Sequence, residues 1–275
     1  MFETPGTVLV GTQGWDYPAW VGPFYPPATR PADMLGVFAR AFSTVEVDTT
    51  FYGTPAEYIV RGWRERVPPG FRFSLKVPQA ITHERRLVDA AELLAQFLGR
   101  VRLLGDRLGP LLLQMPPDWA PTPVARAALD GFVPGLPTDV RWAMEFRDPR
   151  WLRSEVIQLL RAHGVALAFA EGRWVRRDRV LALTEEPTAD FSYVRWMGPD
   201  RALTDFSRVQ VSRDDVFAPW VEAVRALQRR GRTVYGYFNN HFQGHAPASA
   251  RRLQEALGEE PVAPAALRVQ GDLFN

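Results

Sequence analysis

Short runs rich in β-branched and aromatic residues alternate along the chain with longer stretches in which apolar residues recur every three to four positions, the pattern of strands followed by amphipathic helices. The strand pattern falls at Thr7 to Gln13, Thr44 to Asp48, Phe71 to Val77, Pro110 to Met115, Arg141 to Arg147, Val165 to Ala170, Ser192 to Trp196 and Thr233 to Asn239. The helix pattern falls at Pro31 to Ala41, Ala56 to Arg66, Val88 to Leu104, Pro123 to Asp130, Trp151 to His163, Arg213 to Arg230 and Pro247 to Leu257. After the sixth strand, Glu171 to Asp190 reads as a hairpin or irregular excursion. Repeated strand–helix units require parallel pairing, and eight of them favour closure. The predicted fold is therefore α/β, a (β/α)8 TIM-type barrel over residues 1–258, with a C-terminal tail at 259–275. An open doubly wound sheet is the competitor, but Gly11, Gly14 and Gly22 lack the spacing of a dinucleotide-binding turn.

Alternate side chains of a strand face opposite sides of the sheet. Phe71, Phe73, Leu75 and Val77 share one face against Ser74 and Lys76; Val45 and Val47 oppose Glu46 and Asp48; Trp142, Met144 and Phe146 oppose Glu145 and Arg147. Assigned to the lumen, the polar face gathers Glu46, Asp48, Lys76, Gln114, Glu145, Arg147, Arg195, Tyr237 and Asn239 near the C-terminal strand ends. Barrel enzymes carry their chemistry there.

With 275 residues and 46% hydrophobic composition the chain can bury one full core. It has no cysteine, which removes disulfides and thiolate metal sites and fits a reducing compartment. Residues 1–14 lack a basic start followed by an apolar run, and no segment approaches the roughly 18 to 20 apolar residues of a bilayer span. A soluble, cytoplasmic protein without a membrane partner is expected. A net charge of +2 is too small to imply a polyanion partner by itself. The basic residues are more informative by kind: among 33 lysines and arginines, Lys76 is the single lysine. An ammonium loses its proton readily on burial, so it can act as base or nucleophile where a guanidinium cannot.

Lys76 with Glu145 is the best pair for acid–base or Schiff-base chemistry, with Glu46 and Asp48 as further carboxylates and Tyr237 as a proton donor. Arg147 and Arg195 would clamp an anionic substrate, Asn239 would orient an oxygen, and Gln114 and Asn240 are further substrate-binding candidates. The plain alternative is a structural salt-bridge network, although buried ion networks seldom improve on hydrophobic packing. The loop Asn239 to Gly244 leads into a helix with Pro247 near its first turn, whose open N–H groups could hold phosphate or be satisfied by Asn239, Asn240 and Gln243. No cofactor is assigned. A divalent metal is the weaker alternative, since Glu46, Asp48, Glu145, His83 and His241 offer ligands without a compact motif. His163 reads as a helix C-terminal cap. Trp15, Tyr17, Trp20, Phe24 and Tyr25 after strand one, with Phe51 and Tyr52 after strand two, would either stack bases and sugars or pack loops over the barrel.

Several runs together carry a family likeness: Gly11-Thr-Gln-Gly-Trp-Asp-Tyr-Pro-Ala-Trp20, Val45-Glu-Val-Asp-Thr-Thr-Phe-Tyr52, Phe73-Ser-Leu-Lys-Val-Pro78 with Ile81-Thr-His83, Gly109-Pro-Leu-Leu-Leu-Gln-Met-Pro-Pro117, Ala143-Met-Glu-Phe-Arg147 and Tyr237-Phe-Asn-Asn240. The chain resembles the YecE-like family, domain of unknown function 72, over nearly its whole length. The resemblance implies a barrel and leaves the activity open. Where that family reads Arg-Leu-His-Gly on strand seven, this chain has Arg195-Trp-Met-Gly198, so a role of that histidine has no carrier here. The region Glu171 to Arg177 also lacks the family's acidic-then-proline pattern. At the C-terminus, Gln270, Leu273 and Phe274 resemble the short peptide by which replication and repair proteins dock to the sliding clamp, or else fold back on the barrel. The functional expectation is an enzyme on a phosphate-bearing substrate, nucleic acid included, by phosphodiester hydrolysis or lyase chemistry. The alternatives are an isomerase, lyase or sugar hydrolase on a small anionic metabolite, and a noncatalytic clamp-associated module.

Overall fold

Alternating runs of Val, Leu, Phe and Tyr form eight strands: β1 (Val8–Gln13), β2 (Thr44–Val47), β3 (Arg72–Lys76), β4 (Leu108–Gln114), β5 (Trp142–Glu145), β6 (Ala166–Gly172), β7 (Phe191–Gly198) and β8 (Thr233–Phe238). The structure is a computed structural model and describes residues 6–267. Neighbouring strands pair in parallel in chain order and β8 returns to β1, so the sheet closes into a barrel. The helices are α1 (Met34–Ala41), α2 (Glu57–Glu65), α3 (Ala91–Val101), α4 (Pro123–Phe132), α5 (Ser154–Ala162), α6 (Arg177–Leu183), α7 (Asp214–Arg229) and α8 (Ala246–Ala256). Each expected strand is present, with ends displaced by at most two residues. His163 is the C-cap of α5.

Residues 171–190 depart from the expected hairpin or irregular excursion. There β6 runs on to Gly172 and α6 follows. The buried residue of α6 is Val180 alone, and Arg176, Arg177, Asp178 and Arg179 crowd around it in sequence. An apolar repeat of one residue is too short to announce a helix.

Two apolar regions hold the barrel. Outside it, Val45, Leu75, Leu111, Met144, Val194 and Phe238 pack against the helices, and each fully buried side chain of this size contributes about 1.5–3 kcal/mol. Inside, Leu112, Ala143, Ala166 and Ala168 face Phe191, Tyr193, Tyr235 and Tyr237. The alanines of β5 and β6 leave room for the tyrosines of β7 and β8, whose rings Tyr193 and Tyr237 lie 5.2 Å apart. The lower lumen is thus filled, and space remains only above it.

As far as it is described, the expected tail packs on the barrel. A 3-10 turn at Pro264–Leu267 buries Leu267, and the Leu267 carbonyl accepts a hydrogen bond from Arg40 Nη2 of α1 at 2.9 Å. Gln270, Leu273 and Phe274 lie outside the described residues. Among the described residues no helix is long and apolar enough to cross a membrane.

Candidate active site

The strand register brings most of the expected polar residues together at the C-terminal end of the lumen: Glu46 pairs across to Gln13, and Gln114 to Glu145. Arg195 is 1% exposed and stands at the centre. It donates to Glu46 through Nε (2.9 Å) and Nη2 (2.6 Å), and through Nη1 to Glu145 Oε2 (2.5 Å) and Gln114 Oε1 (3.1 Å). Arg147 donates to Glu145 Oε1 at 3.0 Å and to Gln114 Oε1 at 2.9 Å. Tyr193 completes the set by donating to Glu46 Oε2 at 2.7 Å. Every carboxylate oxygen of Glu46 and Glu145 therefore accepts a charge-assisted bond. The planar guanidinium of Arg195 cross-links β2, β4, β5 and β7 in a way an ammonium could not.

Burial favours the neutral form of both carboxyls, and the two respond in opposite directions. Burial and then Asp48 push Glu46 up despite the pull of Arg195. For Glu145, Arg195 and Arg147 together overcome burial and hold it at about 2. Glu145 is a fixed anion, and the Arg195 layer is a scaffold for whatever sits above it.

Lys76 is that next group. Thr50 Oγ1 donates to the Lys76 carbonyl at 2.7 Å, tying the end of β3 to the turn that follows β2. The Lys76 ammonium lies 4.1 Å over the Phe51 ring. Its ion pair with Asp48 Oδ1 is 3.9 Å long, beyond hydrogen-bond reach, and that buried oxygen has no hydrogen-bond partner. Burial lowers the Lys76 pKa, Asp48 opposes this, and Arg195 lowers it further. The result is a 9% exposed amine with weakened hold on its proton.

A π-helical turn at Ala80–Glu84 follows β3 and carries His83, whose ring meets the Phe51 ring edge-on at 4.8 Å. Thr82 Oγ1 lies 2.9 Å from His83 Nδ1 and 3.4 Å from the Pro78 carbonyl oxygen, which fixes the orientation of the ring. Burial, followed by Lys76 and Arg147, lowers His83 to about 4, so the imidazole is neutral at pH 7.

Other expected site residues fall elsewhere. Tyr237 lies a layer deeper, its hydroxyl 2.8 Å from Thr44 Oγ1 and 2.6 Å from Ser74 Oγ, and burial raises its pKa well above the usual phenol; it is wall, not mouth. Asn239 Nδ2 donates to Gln13 Oε1 at 2.7 Å while Asn239 Oδ1 accepts the His241 N–H at 2.8 Å. Asn240 Oδ1 accepts from Trp20 Nε1 at 3.2 Å and from the Ala246 N–H at 3.0 Å. The Ala246 N–H at the start of α8 is thereby occupied by Asn240, while the N-cap His245 makes no side-chain capping bond. Trp15 packs edge-on against Trp63 at 5.9 Å and Phe73 at 6.4 Å, so it joins the loop packing; Tyr52 is 77% exposed. His83 and His241 belong to separate clusters, and among the described residues no group of three or more His, Asp or Glu could hold a metal ion.

Three features escaped the sequence reading. Tyr193 shares the Arg195 face of β7 by alternation, so its signal was present. Gln13 lies on the Gly11 face of β1 and donates through Nε2 to Met197 Sδ at 2.8 Å, which places a thioether, not an imidazole, at that point of β7. Arg173, Trp174 and Arg201 come from loops with no periodic signal. With Arg147, Met197, Gly198, Asp200, Asn239 and His241 they line a cavity of ≈ 130 Å³ on the β5–β8 side of the mouth.

The sequence from residue 9 to 270 matches the family described as Protein of unknown function DUF72. The chain belongs to the DUF72 family. It is 32% identical over 223 residues to UPF0759 protein YecE of Escherichia coli K12, covering 81% of this chain and 66% of that relative, so it spans just under two thirds of the relative's length. UPF0759 protein YunF of Bacillus subtilis is 22% identical over 274 residues, with 92% and 95% covered. A crystal structure of a DUF72 family protein from Thermotoga maritima superposes with a TM-score of 0.77 at 25% identity, over 92% of this chain and 100% of that one. The barrel fold is thus shared with that DUF72 protein.

Proposed function

We propose that this DUF72 barrel is an enzyme for a small anionic substrate, phosphate-bearing in preference, with Lys76 as the base or nucleophile and Arg147 holding the anion. The observation that carries this is the contrast between two buried cations. Arg195 is saturated by Glu46, Glu145 and Gln114, whereas Lys76 has a single 3.9 Å ion pair among the described residues. The Phe51 ring and one long ion pair are a small structural return for burying such an amine, while a reaction needing a partly deprotonated lysine gives that burial a purpose. The ≈ 130 Å³ cavity suits one small anion better than a polymer. Binding of nucleic acid phosphate is the broader variant, and its signature is a steep loss of affinity with salt that a single-anion site does not show.

Thermal shifts of wild type and Lys76→Met against sugar phosphates, carboxylates, nucleotides and short DNA test the reading. A ligand at about a hundred times its Kd stabilises by roughly 2.7 kcal/mol, on the order of 5 to 10 °C. A shift with one class that is lost in Lys76→Met is expected. Equal shifts in both proteins would remove Lys76 from the site.

A further inference from the structure

The rim cavity gathers positive charge instead of dispersing it. Arg147 enters from the end of β5, Arg173 from the segment after β6 and Arg201 from the segment after β7, against the one carboxylate of Asp200. The Arg173 guanidinium lies 4.3 Å from the Trp174 ring centroid and that of Arg147 5.6 Å from it, so a single indole contacts two cations. Nearby acids are committed elsewhere: Glu171 pairs with Arg177 at 3.2 Å, and Asp200 Oδ1 accepts the Ala202 N–H at 2.9 Å. Among the described residues neither Arg173 nor Arg201 has an ion-pair partner, although both are exposed side chains on the cavity wall. His241, also in the wall, has a buried Nδ1 with no hydrogen-bond partner. Three guanidiniums against one carboxylate give the wall an excess of positive charge, which favours an anion.

In a closed eight-stranded barrel β3 and β7 stand opposite each other. Lys76, at the end of β3, is therefore on the opposite side of the mouth from the β7 end of the cavity, and Arg147 enters the cavity wall from β5, which lies between those two strands in the ring. Resting on the assignment of Lys76 as the reacting group, we propose that the rim cavity binds the phosphate of a substrate whose aldehyde or ketone carbonyl forms an imine with Lys76. The free amine attacks the carbonyl carbon, a C–N bond forms, and the π pair moves to oxygen. A proton passes from nitrogen to that oxygen to give a carbinolamine, for which the Asp48 Oδ1 3.9 Å from Nζ is the adjacent relay. The hydroxyl then leaves as water and C=N remains. Amine and carbonyl become imine and one water, with no change of oxidation state.

The single lysine makes the test direct, because the α-amino group is the other amine and an internal control. Pyridoxal 5′-phosphate or pyridoxal is added to the full chain, the imine is reduced with borohydride, and the Lys76 peptide is read by mass. Lys76 should be trapped at about tenfold lower concentration of the phosphorylated aldehyde than of pyridoxal, and in the Arg173→Gln/Arg201→Gln variant that ratio should fall to near one. Equal half-saturation by the two aldehydes in wild type, or a ratio that survives the double variant, overturns the phosphate subsite while leaving Lys76 reactive. If neither aldehyde labels Lys76 faster than the α-amino group, the imine is excluded and the assignment of Lys76 itself loses its support.

Discussion

Two buried cations at neighbouring levels of the lumen have opposite consequences for stability. Removing Arg195 strands Glu46 and Glu145, both at most 1% exposed, without their guanidinium. Arg195→Met should therefore cost about 3–5 kcal/mol in urea unfolding. Lys76→Met removes a desolvated ammonium with a 3.9 Å partner and replaces it with an apolar chain of similar length, so the change should stay within about 1 kcal/mol. If the two substitutions cost the same, Lys76 belongs to the scaffold. Much at this scale was legible beforehand: alternation alone put Glu46, Lys76, Gln114, Glu145 and Arg195 on one face, and the scarcity of lysine singled out Lys76. The depth of Tyr237 was not legible, because alternation tells inside from outside and not which layer of the lumen a residue occupies.

Among the elements, β7 does most to connect the wall with the mouth, presenting Tyr193, Arg195 and Met197 on its inner face and ending at Gly198. That glycine has φ +79°, and a Cβ there would fall 2.2 Å from the His241 carbonyl oxygen, which is backbone and cannot step aside. Gly198→Ala should destabilise by about 1–3 kcal/mol and loosen the loop that carries Arg201, measurable by urea melts and by proteolysis after residue 198. An unchanged midpoint would mean that the β7 and β8 loops can separate at no cost. The eight strands were readable because each contrasts a polar face with an apolar one. Helix α6 was not, since it buries Val180 alone. The π-turn that places His83 left no sequence signal either.

At the scale of the whole molecule, acid should unfold the barrel in two stages. His83, His241 and His245 are each lowered, burial being the first cause. The unfolded chain therefore takes up protons first as pH falls, and stability present above about 6.5 is lost toward the folded value, about 4 for His83. Glu145, ordinarily 4.5 and held at about 2, adds stability that is present above 4.5 and lost as pH falls toward 2. Glu46, raised above its ordinary 4.5 by burial, binds its proton in the folded state first, so it offsets part of the histidine loss above pH 4.5 and leaves the Glu145 stage unopposed. Melting temperatures from pH 7 to pH 2 check the order, and a flat profile between pH 7 and 4 would contradict the histidine stage. By itself the sequence determined the alternation of strands and helices, the count of eight, the inner and outer faces and the unusual lysine, because these depend on periodicity and composition along a local stretch. Barrel closure decided the rest. It joined Arg195 to carboxylates about 50 and 149 residues away, sank Tyr237 beneath the site, and brought Arg173, Trp174 and Arg201 to one cavity. These pairings follow from strand order and register around a closed ring, which no local pattern encodes.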